Sequence, residues 1–449
     1  MRMQSDIRGQ GSDRGRRRVG RLGGVSLVAV AAITAAACGS ASTSTSSSSS
    51  SPATTTGCHT GVPAGLSISS YSTDIASVMD TLKPLAQCVT RGVNHLLVGA
   101  IMPDTTSSAR WVDFDAPYLT DAFADAGYSQ VQFNVQNAEG SDPTQIDDAV
   151  ADINEGAKVL IVTPLDGPTG LTIAADAAAH GVKLIDYDRA IFPSSGKTYY
   201  DSFNNFVVGQ DIGKGFMNCV TSEGVTNPQV FIMDGGKDTD PNAISFAQGY
   251  DSVVFGQKPS GTNVLSPGTK GTGSASNYTV VEDEYSPGWS TSDAETIFQQ
   301  AFTAHPNINA VITANDEMNA EVVTDLHNDG VKAGTVPTTG QDATPQGLAN
   351  ILEGWQCGTV YKPVYLEAEN AVTMATILLA GDTIPPALLN STTTDPSNSA
   401  IQEPASLLTP EWITASDIAS TVVKDGFVSA STLCGMVPKS TGDKYGLNC

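Results

Sequence analysis

Apolar and polar residues follow two rhythms along the chain from about residue 94 to residue 380. Short apolar runs bounded by Gly, Pro or Asp are typical of buried strands, and apolar residues three and four apart are typical of amphipathic helices. The predicted strands are Asn94–Ile101, Gln130–Gln136, Lys158–Thr163, Lys183–Tyr187, Gln229–Met233, Tyr278–Glu284, Ala310–Ala314, Thr335–Thr339 and Gln356–Tyr361. The predicted helices include Pro143–Glu155, Gly170–His180, Val208–Val220, Asn242–Phe255, Ser292–Ala304, Met318–Asp329, Thr344–Glu353 and Val364–Ala380. This alternation predicts an α/β fold with parallel sheets.

The alternation pauses near Phe203 and then restarts, which indicates two lobes in succession with a cleft between them. A length of 449 residues also exceeds what one hydrophobic core usually organises. A Gly, Ser, Thr and Pro-rich stretch, 256–276, predicts a surface excursion in the form of a long hairpin or loop.

The amino terminus has the anatomy of an export signal. Five Arg residues between positions 14 and 21 precede a short apolar run that ends at Ala35-Ala36-Ala37-Cys38. This segment resembles the lipobox of bacterial lipoproteins, which implies cleavage before Cys38 and a lipid on its sulfur; the alternative is an uncleaved membrane anchor. Residues 1–37 are therefore the predicted lipoprotein signal peptide, 38–56 a Ser/Thr-rich tether and 57–92 an N-terminal extension of unassigned function.

Charge and cysteine content narrow the class of partner. The net charge is −24, and because residues 1–37 carry seven basic and two acidic side chains, the remainder carries −29. Such a chain repels nucleic acid and anionic lipid. Six cysteines remain besides Cys38 in a chain predicted to be exported, which favours disulfides over metal ligation or a nucleophilic thiol. They allow 15 pairings, of which sequence proximity favours Cys58 with Cys88, Cys434 with Cys449 and, by remainder, Cys219 with Cys357.

Polar and aromatic residues follow several of the predicted strands. In an open α/β sheet, ligands bind at the carboxyl ends of the strands. The candidates there are Arg110, Trp111, Asp188, Arg189, Asn242, Trp289, Asn315, Asp342 and Lys362. Fixed donors and acceptors with indole rings suit a neutral polyhydroxylated molecule such as a sugar, and adjacent Asp188 and Arg189 can neutralise each other. Each residue also has a structural alternative, such as a helix cap at Asn315, a turn at Asp342, a core aromatic at Trp289 or a surface ion pair at Asp188 and Arg189.

Seven short motifs stand in this order along the chain: Tyr187-Asp-Arg189, Ser202-Phe-Asn-Asn205, Ala314-Asn-Asp316, Gly340-Gln-Asp-Ala343, Thr359-Val-Tyr-Lys-Pro363, Leu407-Leu-Thr-Pro410 and Val423-Lys-Asp-Gly-Phe427. Together they resemble the periplasmic sugar-binding proteins of ABC importers, in particular their D-xylose-binding branch. The resemblance implies a type I periplasmic-binding-protein fold of two Rossmann-like lobes joined by a three-segment hinge, no catalysis and no cofactor.

The resemblance also implies how the lobes share the ligand. The N-terminal lobe, 93–203 and 362–400, would supply Arg110, Trp111, Asp188 and Arg189, and Lys362 would sit at the hinge. The C-terminal lobe and tail, 204–361 and 401–449, would supply Asn242, Trp289, Asn315 and Asp342. The expected mechanism is closure about crossings near Phe203, Asp342 and Lys362 over a monosaccharide, D-xylose or a similar pentose or hexose. The expected partners are an ABC permease and the outer face of the cytoplasmic membrane through Cys38, with the protein a monomer.

Three other functions are compatible with parts of the sequence. A glycoside hydrolase would use paired carboxylates, but Asp188 beside Arg189 is expected to be held ionised rather than poised as an acid. A calcium loop at 238–242 lacks the required Gly and the bidentate Glu, so no metal site is expected. A sugar sensor would keep the fold and present bound ligand to a signalling receptor instead of a permease.

Overall fold

The computed structural model describes Cys58 and residues 61–449, except 195–196, 237–239 and 262–263. The predicted signal peptide, the tether, the lipidation site Cys38 and Asp238 of the considered calcium loop lie outside the described residues. Within those residues, no helix has the length and apolar character needed to cross a membrane.

A seven-stranded sheet forms the core of the first lobe. Its strands are β1 (Val98–Met102), β2 (Phe133–Asn137), β3 (Val159–Val162), β4 (Lys183–Tyr187), β5 (Thr198–Phe203), β10 (Ser391–Thr394) and β11 (Gln402–Leu408). They lie in the order β10-β11-β5-β4-β3-β1-β2 and are parallel except for edge strand β10. Alternate residues of β3 enter different hydrophobic clusters, with Val159 and Ile161 on one face and Leu160 and Val162 on the other. The sheet is therefore buried on both faces, as its near-continuous apolar strands predict.

Helices cover both faces of this sheet. The helices of the first lobe are α1 (Ile75–Thr90), α2 (Ala116–Ala126), α3 (Asp142–Glu155), α4 (Gly167–His180) and α10 (Val364–Leu379). Residues of α1, α2 and α10 share one apolar cluster, and residues of α3 and α4 share the other. The N-terminal extension thus belongs to the first lobe, where Tyr71 Oη donates to Asn370 Oδ1 of α10 at 2.9 Å.

The second lobe has a smaller parallel sheet in the order β7-β6-β8, and an antiparallel pair. Its strands are β6 (Gln229–Asp234), β7 (Thr279–Tyr285), β8 (Ala310–Thr313), β9 (Thr359–Tyr361) and β12 (Glu411–Ile413). Its helices are α5 (Asn205–Ser222), α6 (Pro241–Val254), α7 (Thr291–Ala304), α8 (Asp316–Asn328), α9 (Pro345–Glu353), α11 (Ala430–Met436) and α12 (Lys439–Lys444). The arrangement confirms the predicted α/β class with parallel sheets.

Glycines bring α5 and α6 into backbone contact. A Cβ atom at Gly209 would lie 2.1 Å from the carbonyl oxygen of Phe246, and one at Gly249 would lie 2.4 Å from that of Phe206. Only Gly permits this approach, and it fixes the position of α6, whose first turns carry Asn242 and Phe246 toward the first lobe.

The chain crosses between the lobes at three places, and one differs from the prediction. The crossings follow β5 at Phe203, β9 at Tyr361, and β11 at Leu408. Asp342 is not a crossing, because its N–H bonds the carbonyl of Val360 inside the second lobe. The assignment of 401–408 to the C-terminal lobe is likewise wrong, because β11 pairs with β5 in the first sheet.

One local prediction is wrong, and another is consistent with the structure. Residues 335–339 form no strand, and Thr339 instead uses its hydroxyl to bond both the N–H and the carbonyl of Thr313. The excursion at 256–276 returns along β7 through isolated backbone bonds, among them Gly268 N–H to Val280 O at 2.8 Å.

The described part of the chain contains three disulfides. They join Cys58 to Cys88, Cys219 to Cys357 and Cys434 to Cys449. Among the described residues, one group has the spacing of potential metal ligands, and it consists of Cys219, Glu223 and Cys357. Its two sulfurs are joined in a disulfide and therefore do not offer thiolate ligands.

A buried pair of acids behind the candidate site predicts a pH-dependent stability. Burial, and then the charge of Asp186, raises the pKa of Glu403 to about 10, and burial raises the pKa of Asp186 to about 6. Acids with raised folded-state pKa values stabilise the fold below their ordinary pKa and lose that contribution as pH rises through the folded values. We expect Glu403→Gln to lose less stability than the wild type between pH 6 and pH 9, and to be about 1–3 kcal/mol more stable at pH 9, because Gln needs no proton uptake on folding whereas Glu403 does.

Urea unfolding at several pH values measures this difference. Glu411→Gln, an exposed acid on the following strand, is the matched control and should behave as the wild type does. Identical pH profiles for Glu403→Gln and the wild type would contradict the raised pKa of Glu403 in the folded protein.

Candidate ligand-binding site between the two lobes

Arg110 forms the centre of the site and contacts carboxylates from three parts of the chain. Its Nε and Nη2 donate to Asp115 at 3.2 and 2.8 Å, Nη2 also donates to Glu367 at 3.0 Å, and Nη1 reaches both oxygens of Asp188 at 3.0 and 3.1 Å. The residue is only 1% exposed. Burial alone would lower the pKa of Arg110, but the surrounding carboxylates raise it well above its ordinary value, so the guanidinium stays charged.

Asp188 is held ionised, as the sequence predicted, but chiefly by a residue other than its neighbour. Burial opposes ionisation, yet the charges of Arg110, then Lys362, then Arg189 bring the pKa of Asp188 below its ordinary value. The expectation that Asp188 and Arg189 pair with each other is wrong, because the fork of Arg110 binds Asp188 and the Arg189 side chain extends toward the second lobe. An acid held in its charged form is unsuited to general acid catalysis.

Arg189 instead bridges the lobes. Its Nε lies 3.4 Å from Asp240 Oδ2, and its Nη1 donates to the carbonyl of Pro164 at 3.2 Å. Asp240 is the N-cap of α6, where Oδ1 accepts from the N–H of Asn242 at 2.8 Å, and its Oδ2 also accepts the indole N–H of Trp289 at 2.8 Å. One carboxylate thus fixes a helix end, an arginine and an aromatic wall.

A second ion pair connects the hinge to the second lobe. Lys362 Nζ lies 2.9 Å from Asp342 Oδ1 and 3.9 Å from Asp188 Oδ1, and Arg110 Nη1 lies 3.8 Å from Asp342 Oδ1. Two cations and two carboxylates from both lobes therefore alternate across the cleft.

The two predicted tryptophans lie in the cavity wall and are held in place by polar contacts. The indole N–H of Trp111 donates to Ser107 Oγ at 3.1 Å, and the guanidinium carbons of Arg110 and Arg189 lie 4.9 and 5.2 Å from its ring centre. Trp289 packs against the backbone of Gly235, where a Cβ atom would lie 2.3 Å from the indole. Glycine is therefore needed at position 235, because any side chain there would collide with the indole ring of Trp289.

The two asparagines have different surroundings. Asn242 Nδ2 donates across the cleft to the carbonyl of Asp188 at 2.6 Å, and that carbonyl also accepts from Tyr200 Oη at 2.7 Å. Asn315 lines the cavity and is also the N-cap of α8, where its Oδ1 accepts from the N–H of Met318 at 3.0 Å. The helix-cap role considered for Asn315 is therefore the role of its side-chain oxygen Oδ1.

All nine candidate residues line a single cavity between the lobes. The space within it, counted to its open mouth, is about 320 Å³. The other residues in its wall were not predicted from the sequence, and they are Ser107, Ser108, Asp240, Phe246 and Gln341. Two sequence signals could have identified members of this group. Asp240 precedes Pro241 at a predicted helix start, and Phe246 lies one helical turn after Asn242.

Three residues of the cavity have a backbone conformation that side chains rarely adopt. The φ angles are 59° at Asp188, 62° at Trp289 and 91° at Asp342. Left-handed backbone at residues other than Gly is costly and clusters at ligand-binding sites, where it aims a side chain. Each of these three side chains indeed points an ionic or aromatic group at the same cavity.

Two lobes, three crossings and a polar, aromatic-walled cavity between them define a two-domain solute-binding protein. Residues 98–383 match the family described as periplasmic binding protein domain, and this match covers more than half of the chain. The chain belongs to the periplasmic binding protein family.

Individual relatives agree with this membership. The chain is 32% identical over 302 residues to the D-xylose-binding periplasmic protein of Escherichia coli, covering 67% of this chain and 82% of the relative. It is 29% identical over 371 residues to a multiple sugar-binding periplasmic protein of Azospirillum brasilense, covering 80% and 98%. A solved ABC transporter solute-binding protein of Clostridium phytofermentans with bound β-D-glucose superposes with a TM-score of 0.62 at 25% identity, covering 75% and 99%. These relatives are binding proteins, which agrees with the prediction that the chain is not an enzyme.

Proposed function

We propose that the chain captures a monosaccharide outside the cytoplasm by closing its two lobes over it, and delivers it to the permease of an ABC importer. The observation that carries the proposal is the cavity itself, where charged and amide groups from both lobes converge between Trp111 and Trp289. Relatives named for D-xylose and multiple-sugar binding, and a structural neighbour with bound β-D-glucose, support a pentose or hexose as ligand.

The tryptophans would bind the apolar faces of the sugar ring, and the ion pairs would bind its hydroxyls. Indole rings stack on C–H faces and exclude water, which strengthens every hydrogen bond inside the cavity. Asp188, Arg189, Asn315 and Asp342 would read the hydroxyls. Arg110 and Lys362 hold the two carboxylates in position as acceptors, because each cation already contacts them.

Gln341 is a further candidate for hydroxyl recognition. It lines the cavity, and its Oε1 is buried with no hydrogen-bond partner among the described residues. A buried acceptor without a partner costs free energy unless a ligand supplies a donor. A sugar hydroxyl would supply that donor.

Closure would be driven by the ligand, because only the closed state lets residues of both lobes bind it at once. Lobe rotation would take place at the crossings after Phe203, Tyr361 and Leu408. The closed face would then be recognised by the permease, and a lipid on Cys38 would keep a monomeric protein at the outer face of the cytoplasmic membrane. The periplasmic location given in the relatives' names supports a site of action outside the cytoplasm.

A thermal-unfolding screen tests the binding proposal. The protein is residues 57–449, without the predicted signal peptide and tether, and the ligands are pentoses, hexoses and disaccharides. A ligand that binds only the folded state must raise the melting temperature. A rise with at least one monosaccharide is expected, and no rise with any sugar would contradict the proposed function.

A further inference from the structure

Glu317 makes a contact between the lobes at the edge of the cavity without forming part of the cavity wall. Its Oε1 accepts from the N–H of Ala109 at 2.9 Å and from the hydroxyl of Ser108 at 2.8 Å. Glu317 is the second residue of α8 in the second lobe, and residues 107–109 are a loop of the first lobe. Separation of the lobes would therefore break the contact.

The loop that Glu317 contacts also positions the centre of the site. Ser108 Oγ accepts from the N–H of Arg110 at 3.3 Å, and Ser107 Oγ accepts the indole N–H of Trp111 at 3.1 Å. Both serines line the cavity. A bond that fixes this loop against α8 fixes the residues that face the ligand.

We propose that Glu317 is a closure latch, a positioning residue that clasps loop 107–109 when the lobes close and couples ligand retention to protonation. The proposal rests on the proposed function for its ligand and on the two cross-lobe hydrogen bonds for its mechanism. Glu317 touches no ligand and acts through the loop.

The surroundings of the latch explain the coupling to protons. Burial, and then the charge of Asp342, raises the pKa of Glu317 to about 7. Two acids of the second lobe face Glu317, namely Asp342 and the preceding residue of its own helix, Asp316. From the first lobe it receives the hydrogen-bond donors of Ser108 and Ala109. Glu317 Oε2 is buried without a hydrogen-bond partner among the described residues. A proton on Oε2 removes the charge and leaves Oε1 free to accept both bonds.

Asp316 does not give the same effect, although burial raises its pKa well above the ordinary value. Its oxygens accept from Gln356 Nε2 at 2.7 Å and from the N–H of Thr344 at 2.9 Å, and both partners belong to the second lobe. Its environment therefore persists when the lobes separate. Glu317, by contrast, gains both bonds and its burial against the first lobe on closure.

The sign of the pH effect follows from linkage. The pKa of Glu317 is raised in the closed state relative to an open state where the carboxyl faces solvent. The closed state is thus fully stabilised below the ordinary pKa of 4.5 and weakens as pH rises through about 7. Ligand affinity should fall about tenfold between pH 6 and pH 8 as this group deprotonates.

Two variants separate the latch from its charge. Glu317→Ala removes both bonds and should raise the dissociation rate of the monosaccharide about tenfold at pH 6. Glu317→Gln keeps the acceptor without the charge, so its affinity should be independent of pH and exceed that of the wild type at pH 8. Glu353→Gln, an exposed acid of the second lobe, is the matched control and should keep the wild-type pH profile.

The experiment measures dissociation by stopped-flow fluorescence at pH 6, 7 and 8, with the monosaccharide that gives the largest thermal shift. A wild-type dissociation rate in Glu317→Ala at pH 6, or a wild-type pH profile in Glu317→Gln, would overturn the proposal. Small-angle X-ray scattering of the ligand-free protein gives a readout that needs no sugar. The wild type should be more compact at pH 6 than at pH 8. Glu317→Ala should have the same compactness at both pH values.

The two measurements also separate this inference from the proposed function. Binding of no sugar by the wild type, with the scattering difference intact, would refute the proposed ligand and retain the latch. Sugar binding by the wild type, with no effect of either Glu317 variant in both measurements, would refute the latch alone.

Discussion

Replacing Arg110 with Ala is expected to lower the free energy of unfolding by about 3–5 kcal/mol, because removing one partner of a buried ion pair leaves the others uncompensated. Arg110 donates to Asp115, Asp188 and Glu367, and it is almost fully buried. Without the guanidinium, the three carboxyl groups must take up protons or admit water, and binding of a sugar should be lost as well. Urea unfolding followed by circular dichroism measures the stability change.

The control for this prediction is Arg91→Ala, which removes an exposed arginine from the same lobe. It should change the free energy of unfolding by less than about 0.5 kcal/mol, as surface substitutions usually do. If Arg110→Ala unfolds with the same midpoint as Arg91→Ala, the ion cluster is not a structural element of the closed protein.

Replacing Asp342 with Ala is expected to weaken monosaccharide binding roughly 30- to 150-fold, equivalent to about 2–3 kcal/mol, as for loss of a charged hydrogen bond. The carboxylate would accept a sugar hydroxyl, and its loss also leaves Lys362 without its nearest partner, 2.9 Å away. Its left-handed backbone should favour the variant no more than the wild type, because Ala is also strained there. Isothermal titration calorimetry with the sugar selected by thermal shift gives the affinity.

Asp329→Ala is the matched control, since it removes an exposed acid from the same lobe and should leave the affinity unchanged. Wild-type affinity in Asp342→Ala would show that this residue, and with it the assignment of hydroxyl recognition to the Asp342–Lys362 pair, has been misplaced.

Much of the fold follows from the sequence because the strands buried on both faces are nearly continuous apolar runs. β3 and β4 were predicted to within about a residue for this reason. β5 was missed because Thr198–Phe203 is rich in polar residues although it is wholly buried. The Oδ1 atom of its Asp201 accepts from Asn370 Nδ2 at 2.7 Å, a contact between residues far apart in the chain.

β11 was missed for a different reason. It contains Glu403 and Pro404, and a proline normally argues against a strand with neighbours on both sides. The error placed the end of the first lobe at residue 400 instead of Leu408, and the crossing at Leu408 was not recognised. The pairing of β11 with β5 depends on tertiary contacts, which the local sequence pattern does not encode.

The candidate site was predicted because strand ends converge in an α/β sheet, and this placed all nine residues at one cavity. The pairing among them could not be predicted in the same way. Asp188 pairs with Arg110 and not with the adjacent Arg189, because the guanidinium of Arg110 is also bound by Asp115 and Glu367, which only the folded chain brings together. Sequence adjacency of Asp188 and Arg189 suggested a pair, whereas their side chains have separate partners.

The crystal structure of the protein with its bound monosaccharide tests the central claim most directly. The account predicts a sugar ring between Trp111 and Trp289, with hydrogen bonds to Asp188 of the first lobe and Asp342 of the second. A sugar bound to one lobe alone, or in the separate hydroxyl-rich cavity beside Asn205 and Thr393, would contradict it.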